Sequence, residues 1–73
     1  MESSARADLA RHIRWRRFAQ GWSQERLAEM SGMHRTYISA IERGRVNPGL
    51  DTLERLAQAL CVPISALLEA PAP

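Results

Sequence analysis

The sequence predicts an all-α domain of five helices, and three observations predict it. Apolar residues recur at steps of three and four, turn-forming residues (Gly21, Gly32, Gly44 and Pro63) fall between those runs, and no stretch alternates as a β-strand does. A chain of 73 residues with 45% hydrophobic composition and no apolar run near 18 residues reads as one globular domain rather than a disordered or membrane-spanning chain. At this length only about 60% of the unfolded surface is buried on folding. The expected layout is a flexible segment at 1–5, a folded unit at 6–69 and a flexible tail at 70–73, where Ala70-Pro71-Ala72-Pro73 has nothing to bury.

The first helix runs from about Ala5 to Gln20, with Leu9 and Ile13 inward and Gly21 as its stop. Trp15 and Phe18 lie three apart on a different side, so they either pack under the C-terminal helix or stay partly exposed. His12 is expected at the surface. Ser23 is a good N-cap for a second helix from Gln24, and Trp22 before it is placed like the apolar residue of a hydrophobic staple. Leu27 and Ala28 are its inward pair, and Ala28 is small enough for another helix to cross close by.

Ser31-Gly32-Met33 breaks the pattern. Gly32 sits where the turn needs a left-handed backbone, which costs roughly 1 kcal/mol or more for a residue with a side chain. The third helix begins near His34, a poor cap, and stops at Gly44, burying Ile38 and Ile41. Leu50, Leu53, Leu56, Ala57 and Leu60 mark a fourth helix from about Leu50 to Leu60. Cys61 stands at its stop, where glycine is more comfortable. Pro63 opens a short fifth helix with Ile64, Leu67 and Leu68 on one stripe.

The face of the third helix opposite Ile38 and Ile41 carries Arg35, Thr36, Ser39, Ala40 and Arg43. Short polar groups flanked by arginines on a helix held up by a domain suit the major groove of double-stranded DNA. Arg35 either grips guanine O6 and N7 with two hydrogen bonds or contacts a phosphate. Thr36 and Ser39 reach bases or phosphates, and Ala40 can touch a thymine methyl. Tyr37 lies at the edge of the buried stripe, so its ring packs there with or without its hydroxyl reaching DNA. Arg43, Arg45 and Asn47 flank the groove, as backbone contacts or as solvated loop residues.

Ser23-Gln24-Glu25-Arg26-Leu27-Ala28, Gly32, Tyr37-Ile38-Ser39, Ile41-Glu42-Arg43-Gly44 and Asn47-Pro48 together resemble the Cro/repressor-type, or XRE-like, helix-turn-helix family. The run His34-Arg35-Thr36-Tyr37-Ile38-Ser39 is most similar to the small controller proteins of restriction-modification systems. The resemblance covers about residues 9 to 69 and implies a lambda-repressor-like fold with the helix-turn-helix in its second and third helices. It gives Gln24 a phosphate-clamping role at the start of the second helix. It also implies a structural pair, Arg17 of the first helix with Glu42 closing the third, which would hold the recognition helix in place. Arg16 departs from the family, which often has leucine there.

All ten basic residues are arginine. Nine lie in residues 1 to 45 against five acids, a balance of +4, while residues 46 to 73 carry one arginine against three acids, −2, which together make the net +2. That asymmetry fits a phosphate-facing N-terminal half and a C-terminal half with another task. Val62, Ile64, Leu67 and Leu68 either finish the core or form a dimer interface, and the expectation is the interface.

No Ser/His/Asp set, carboxylate pair or glycine-rich phosphate loop is present, so the chain is not read as an enzyme. Cys61 is the single cysteine and, with His12 and His34, makes no metal-ligand spacing; no cofactor or metal is expected. Met1-Glu2-Ser3-Ser4 lacks the apolar core of a signal peptide, from which a cytoplasmic location is expected. The expected function is a sequence-specific transcriptional regulator that binds a two-fold operator as a homodimer and blocks or recruits RNA polymerase. An autoregulatory controller of a restriction-modification operon is the specific form the resemblance suggests. The alternative is a DNA-binding antitoxin of a toxin-antitoxin pair, which would need a toxin-wrapping segment beyond the domain.

Overall fold

The computed structural model describes residues 5–69. Five helices follow in order: α1 (Ala5–Gln20), α2 (Gln24–Ser31), α3 (Arg35–Glu42), α4 (Leu50–Leu60) and α5 (Ile64–Leu68). Among the described residues there is no strand, and no helix is long and apolar enough to cross a membrane. The expected flexible ends fall on 1–4 and 70–73, outside the described residues, while Ala5 is the first residue of α1.

One core joins all five helices. Ile13 of α1, Leu27 of α2, Ile38 and Ile41 of α3, Leu56 of α4 and Leu67 of α5 are its fully buried side chains. Trp22, Met33, Tyr37, Val46, Val62 and Ile64 pack around them. Burying a side chain of this size contributes about 1.5–3 kcal/mol. Rotating α3 to expose Ile38 and Ile41 therefore costs more than any single surface contact could return, and this fixes which face of α3 meets solvent.

The turns follow from local chemistry. Ser23 caps α2, its hydroxyl accepting the Arg26 N–H at 3.0 Å. Gly32 is left-handed at φ 70°, and behind it the Met33 N–H reaches the Ala28 carbonyl at 2.9 Å, closing α2. Ser31 is buried there, its hydroxyl donating to the Leu27 carbonyl at 2.7 Å. α4 ends in the same way, with the Val62 N–H on the Ala57 carbonyl at 3.0 Å, but the left-handed residue is Cys61, at φ 59°.

Several placements differ from the sequence reading. His12 is buried rather than at the surface: its Nε2–H donates to the Glu69 carbonyl at 2.5 Å, tying the end of α5 to α1. Leu50 does not share the inward stripe of α4 and is 69% exposed, because it occupies the first position of α4, one turn before Leu53 enters the core. Leu67 is wholly inside the single chain, so of the four residues expected at a dimer surface only Leu68 is exposed, with Val62 and Ile64 half-buried. Trp15 and Phe18, for which helical spacing left both a packed and an exposed placement open, are both exposed, against the guanidinium groups of Arg16 and Arg17 respectively.

Candidate nucleic-acid interface

α3 owes its position to α1. Arg17 donates from Nε to Glu42 Oε2 at 2.7 Å and from Nη2 to Oε1 at 2.9 Å, a fork between two side chains that are almost entirely out of water. The third edge of the same guanidinium, Nη1, donates to the Trp22 carbonyl at 2.8 Å. The Glu42 hydrogen bonds raise the Arg17 pKa above its ordinary value; burial opposes them, and the charges of Glu42 and Glu25 reinforce them. Gln24 joins from α2, donating from Nε2 to Glu42 Oε1 at 3.1 Å. One carboxylate at the closing end of α3 thus meets both α1 and α2.

Arg14 adds a second hold. Its guanidinium donates to the main-chain carbonyl of Glu42, supplying positive charge to the C-terminal end of α3. Sequence reasoning missed Arg14, although a signal existed: it lies one helical turn before Arg17 and shares its side of α1.

With its inner face anchored, α3 presents Arg35 and Thr36 to solvent, Arg43 is exposed just past its end, and Ser39, Ala40 and Tyr37 are half-buried along the margin. Arg43 Nη1 donates to Ser39 Oγ at 2.7 Å, so these two form one polar unit on the outer face. Arg45 and Asn47 continue the exposed surface past the Gly44 turn. Tyr37 packs against the core cluster, which accounts for its ring.

At the other end of α3, Arg35 leans toward the start of α2. Its Nε lies 3.6 Å from Glu25 Oε2, and its Nη1 donates to Gln24 Oε1 at 3.5 Å. The structure therefore brings Gln24, Arg35 and Glu42 into one chain of polar contacts. Glu25 was absent from the sequence-derived site, and nothing in helical spacing points to it, since its contact runs across the turn between two helices. Among the described residues, no group of histidine, cysteine and carboxylate side chains could hold a metal ion.

A family model described as helix-turn-helix, HTH_3, matches residues 13–67. The chain is 47% identical over 70 residues to a hypothetical transcription factor of Neisseria meningitidis serogroup B, covering 96% of this chain and 66%, just under two thirds, of that one. It is 48% identical over 60 residues to the control protein C.SmaI of Serratia marcescens, covering 82% of this chain and 71% of that one. The crystal structure of the Neisseria factor aligns with a TM-score of 0.90 over 93% of this chain and 78% of that one, at 47% identity. The restriction-modification controller protein C.AhdI from Aeromonas hydrophila aligns with a TM-score of 0.82 over 85% of this chain and 94% of that one, at 37% identity.

Proposed function

The chain belongs to the HTH_3 helix-turn-helix family of DNA-binding regulators, and from that premise we propose that it is a sequence-specific transcriptional regulator acting as a homodimer on a two-fold operator. The observation that carries this reading is the outward face of α3 and its C-cap: Arg35, Thr36 and Arg43 exposed, while Ile38, Ile41 and Glu42 are buried beneath them. In the major groove, Arg35 reads a guanine, Thr36 and Ser39 bond base edges or phosphates, and Ala40 meets a thymine methyl. Gln24 clamps a phosphate at the start of α2, and Arg43, Arg45 and Asn47 contact the flanking backbone, with the Tyr37 hydroxyl at the margin.

One domain offers one recognition helix, which spans a few base pairs. Two copies joined through Leu68 and the half-buried Val62 and Ile64 read two half-sites and gain the specificity that one lacks. Regulation is by occupancy in the cytoplasm, the dimer blocking RNA polymerase at one position or recruiting it at another. Similarity to C.SmaI and C.AhdI supports a controller that governs its own restriction-modification operon.

Footprinting of the DNA immediately upstream of the chain's own gene tests binding, sequence preference and autoregulation together. The expected result is protection of two symmetric half-sites whose centres lie about 34 Å apart on one face of the duplex. Protection without symmetry overturns the dimer on a two-fold site, and no protection there overturns autoregulation.

A further inference from the structure

We propose that Glu25 is a specificity-determining residue: its carboxylate holds the Arg35 guanidinium by the Nε side and turns it from a general phosphate binder into a base reader. The inference rests on the base-reading role assigned to Arg35 above and adds a residue that does not itself read a base.

The argument begins with the donors of Arg35. A guanine is gripped by two parallel N–H groups, so Arg35 must offer either its Nη1–Nη2 edge or its Nε–Nη2 edge. Glu25 Oε2 lies 3.6 Å from Nε, and Gln24 Oε1 lies 3.5 Å from Nη1. Both candidate edges are thus partly engaged in the free protein. The Gln24 amide is also held elsewhere, by its Nε2 donation to Glu42 Oε1 at 3.1 Å. Releasing the neutral Gln24 contact frees the Nη1–Nη2 edge, while the charged Glu25 contact stays on Nε. In that arrangement Glu25 aims the outer edge of the guanidinium into the groove.

The same carboxylate penalises the competing mode. Glu25 stands in the first turn of α2, next to Gln24, at the helix N-terminus where the proposed function puts a phosphate. If Arg35 swings away to a phosphate, Glu25 is left as an uncompensated negative charge against the DNA backbone. With Arg35 retained, that charge is matched. Between two exposed side chains in water, this pair contributes little to folding. Its effect appears on DNA, where phosphates crowd the site and water is displaced.

The experiment compares four proteins (wild type, Glu25→Gln, Arg35→Ala and the double variant) on two duplexes, one enriched by the wild type from a randomised pool and one of the same composition scrambled. Circular dichroism melts establish that all four fold, which the exposure of both side chains favours. Glu25→Gln should strengthen binding to the scrambled duplex by about three- to ten-fold and to the enriched duplex by much less, so that the specificity ratio falls. In the Arg35→Ala background the same substitution should move both duplexes by one common factor. If Glu25→Gln shifts both duplexes equally with Arg35 present, Glu25 is a uniform repulsive charge and the proposal is overturned. If the wild type enriches no sequence at all, it is the base-reading function that has failed.

Discussion

Arg17 and Glu42, 25 positions apart in the chain, form a buried two-bonded fork that fastens the recognition helix to α1. Such a pair gains much of its Coulomb energy back only against the cost of removing both charges from water, so its clearest contribution is orientation. The remaining edge of Arg17 is on the Trp22 carbonyl, and Glu42 Oε1 also accepts from Gln24, so this network leaves neither charge without partners. Because its hydrogen bonds to Glu42 raise the folded-state pKa of Arg17, the stability this adds is fully present below the unfolded-state pKa. It is lost only as pH rises through the raised value, at the alkaline extreme.

Removing one partner strands the other. Arg17→Ala and Glu42→Ala should each lower stability by on the order of 3 kcal/mol in urea melts, and the double variant should lose less than the sum. Strictly additive losses in that double-mutant cycle would show that the two side chains are not coupled.

Arg35 and Arg45 should separate by role. Arg35→Ala is expected to cost about 1–3 kcal/mol on the cognate site and much less on unrelated DNA. Arg45→Ala should weaken both alike and make the salt dependence shallower by about one unit. Equal losses on both DNAs for Arg35→Ala would make it a phosphate contact.

Gly32 and Cys61 hold equivalent left-handed positions at the ends of α2 and α4, at φ 70° and 59°. A Cβ at Gly32 meets nothing within 4 Å, so Gly32→Ala isolates backbone strain from crowding. It should destabilise the domain by roughly 0.5–1 kcal/mol, and Cys61→Gly should stabilise it by a similar amount once the greater unfolded-state freedom of glycine is subtracted. For a domain of this size that is a change in Tm of about 2–8 °C, in opposite directions for the two variants. A fall in Tm for Cys61→Gly would mean that the cysteine side chain contributes more than its backbone costs.

Assembly should respond to Leu68 rather than Leu67. Leu68→Glu is expected to yield a folded monomer by equilibrium sedimentation at micromolar concentration, whereas Leu67→Ala opens a cavity and lowers Tm by about 8 °C or more. A wild-type monomer at that concentration, binding one half-site as tightly as a full operator, would eliminate the dimer.

Helix boundaries and most of the core are legible in the sequence, because they are local. Leu27, Ala28, Ile38 and Ile41 follow from helical periodicity, Ser23 from capping, and Gly32 from the left-handed turn that only glycine enters cheaply. Periodicity also separates Arg35 and Thr36 from the buried stripe, which made the outer face of α3 a candidate before its setting was known. What helical spacing could not supply was which side of each remaining residue another helix covers. Leu50 repeats in step with Leu53 yet lies beyond the reach of the core, His12 is covered because the end of α5 returns to α1, and Leu67 and Leu68 are neighbours with opposite fates. Arg17 with Glu42 came from family resemblance, while Arg14 on the Glu42 carbonyl and Glu25 beside Arg35 emerged only when the helices were packed. By itself the sequence determined the helices, their stops and the polar strip that faces outward, since each depends on residues within a few positions of one another. Only the tertiary structure decided how that strip is anchored and which charges share it, because hydrogen bonds of about 3 Å between separate helices depend on how the chain folds back on itself.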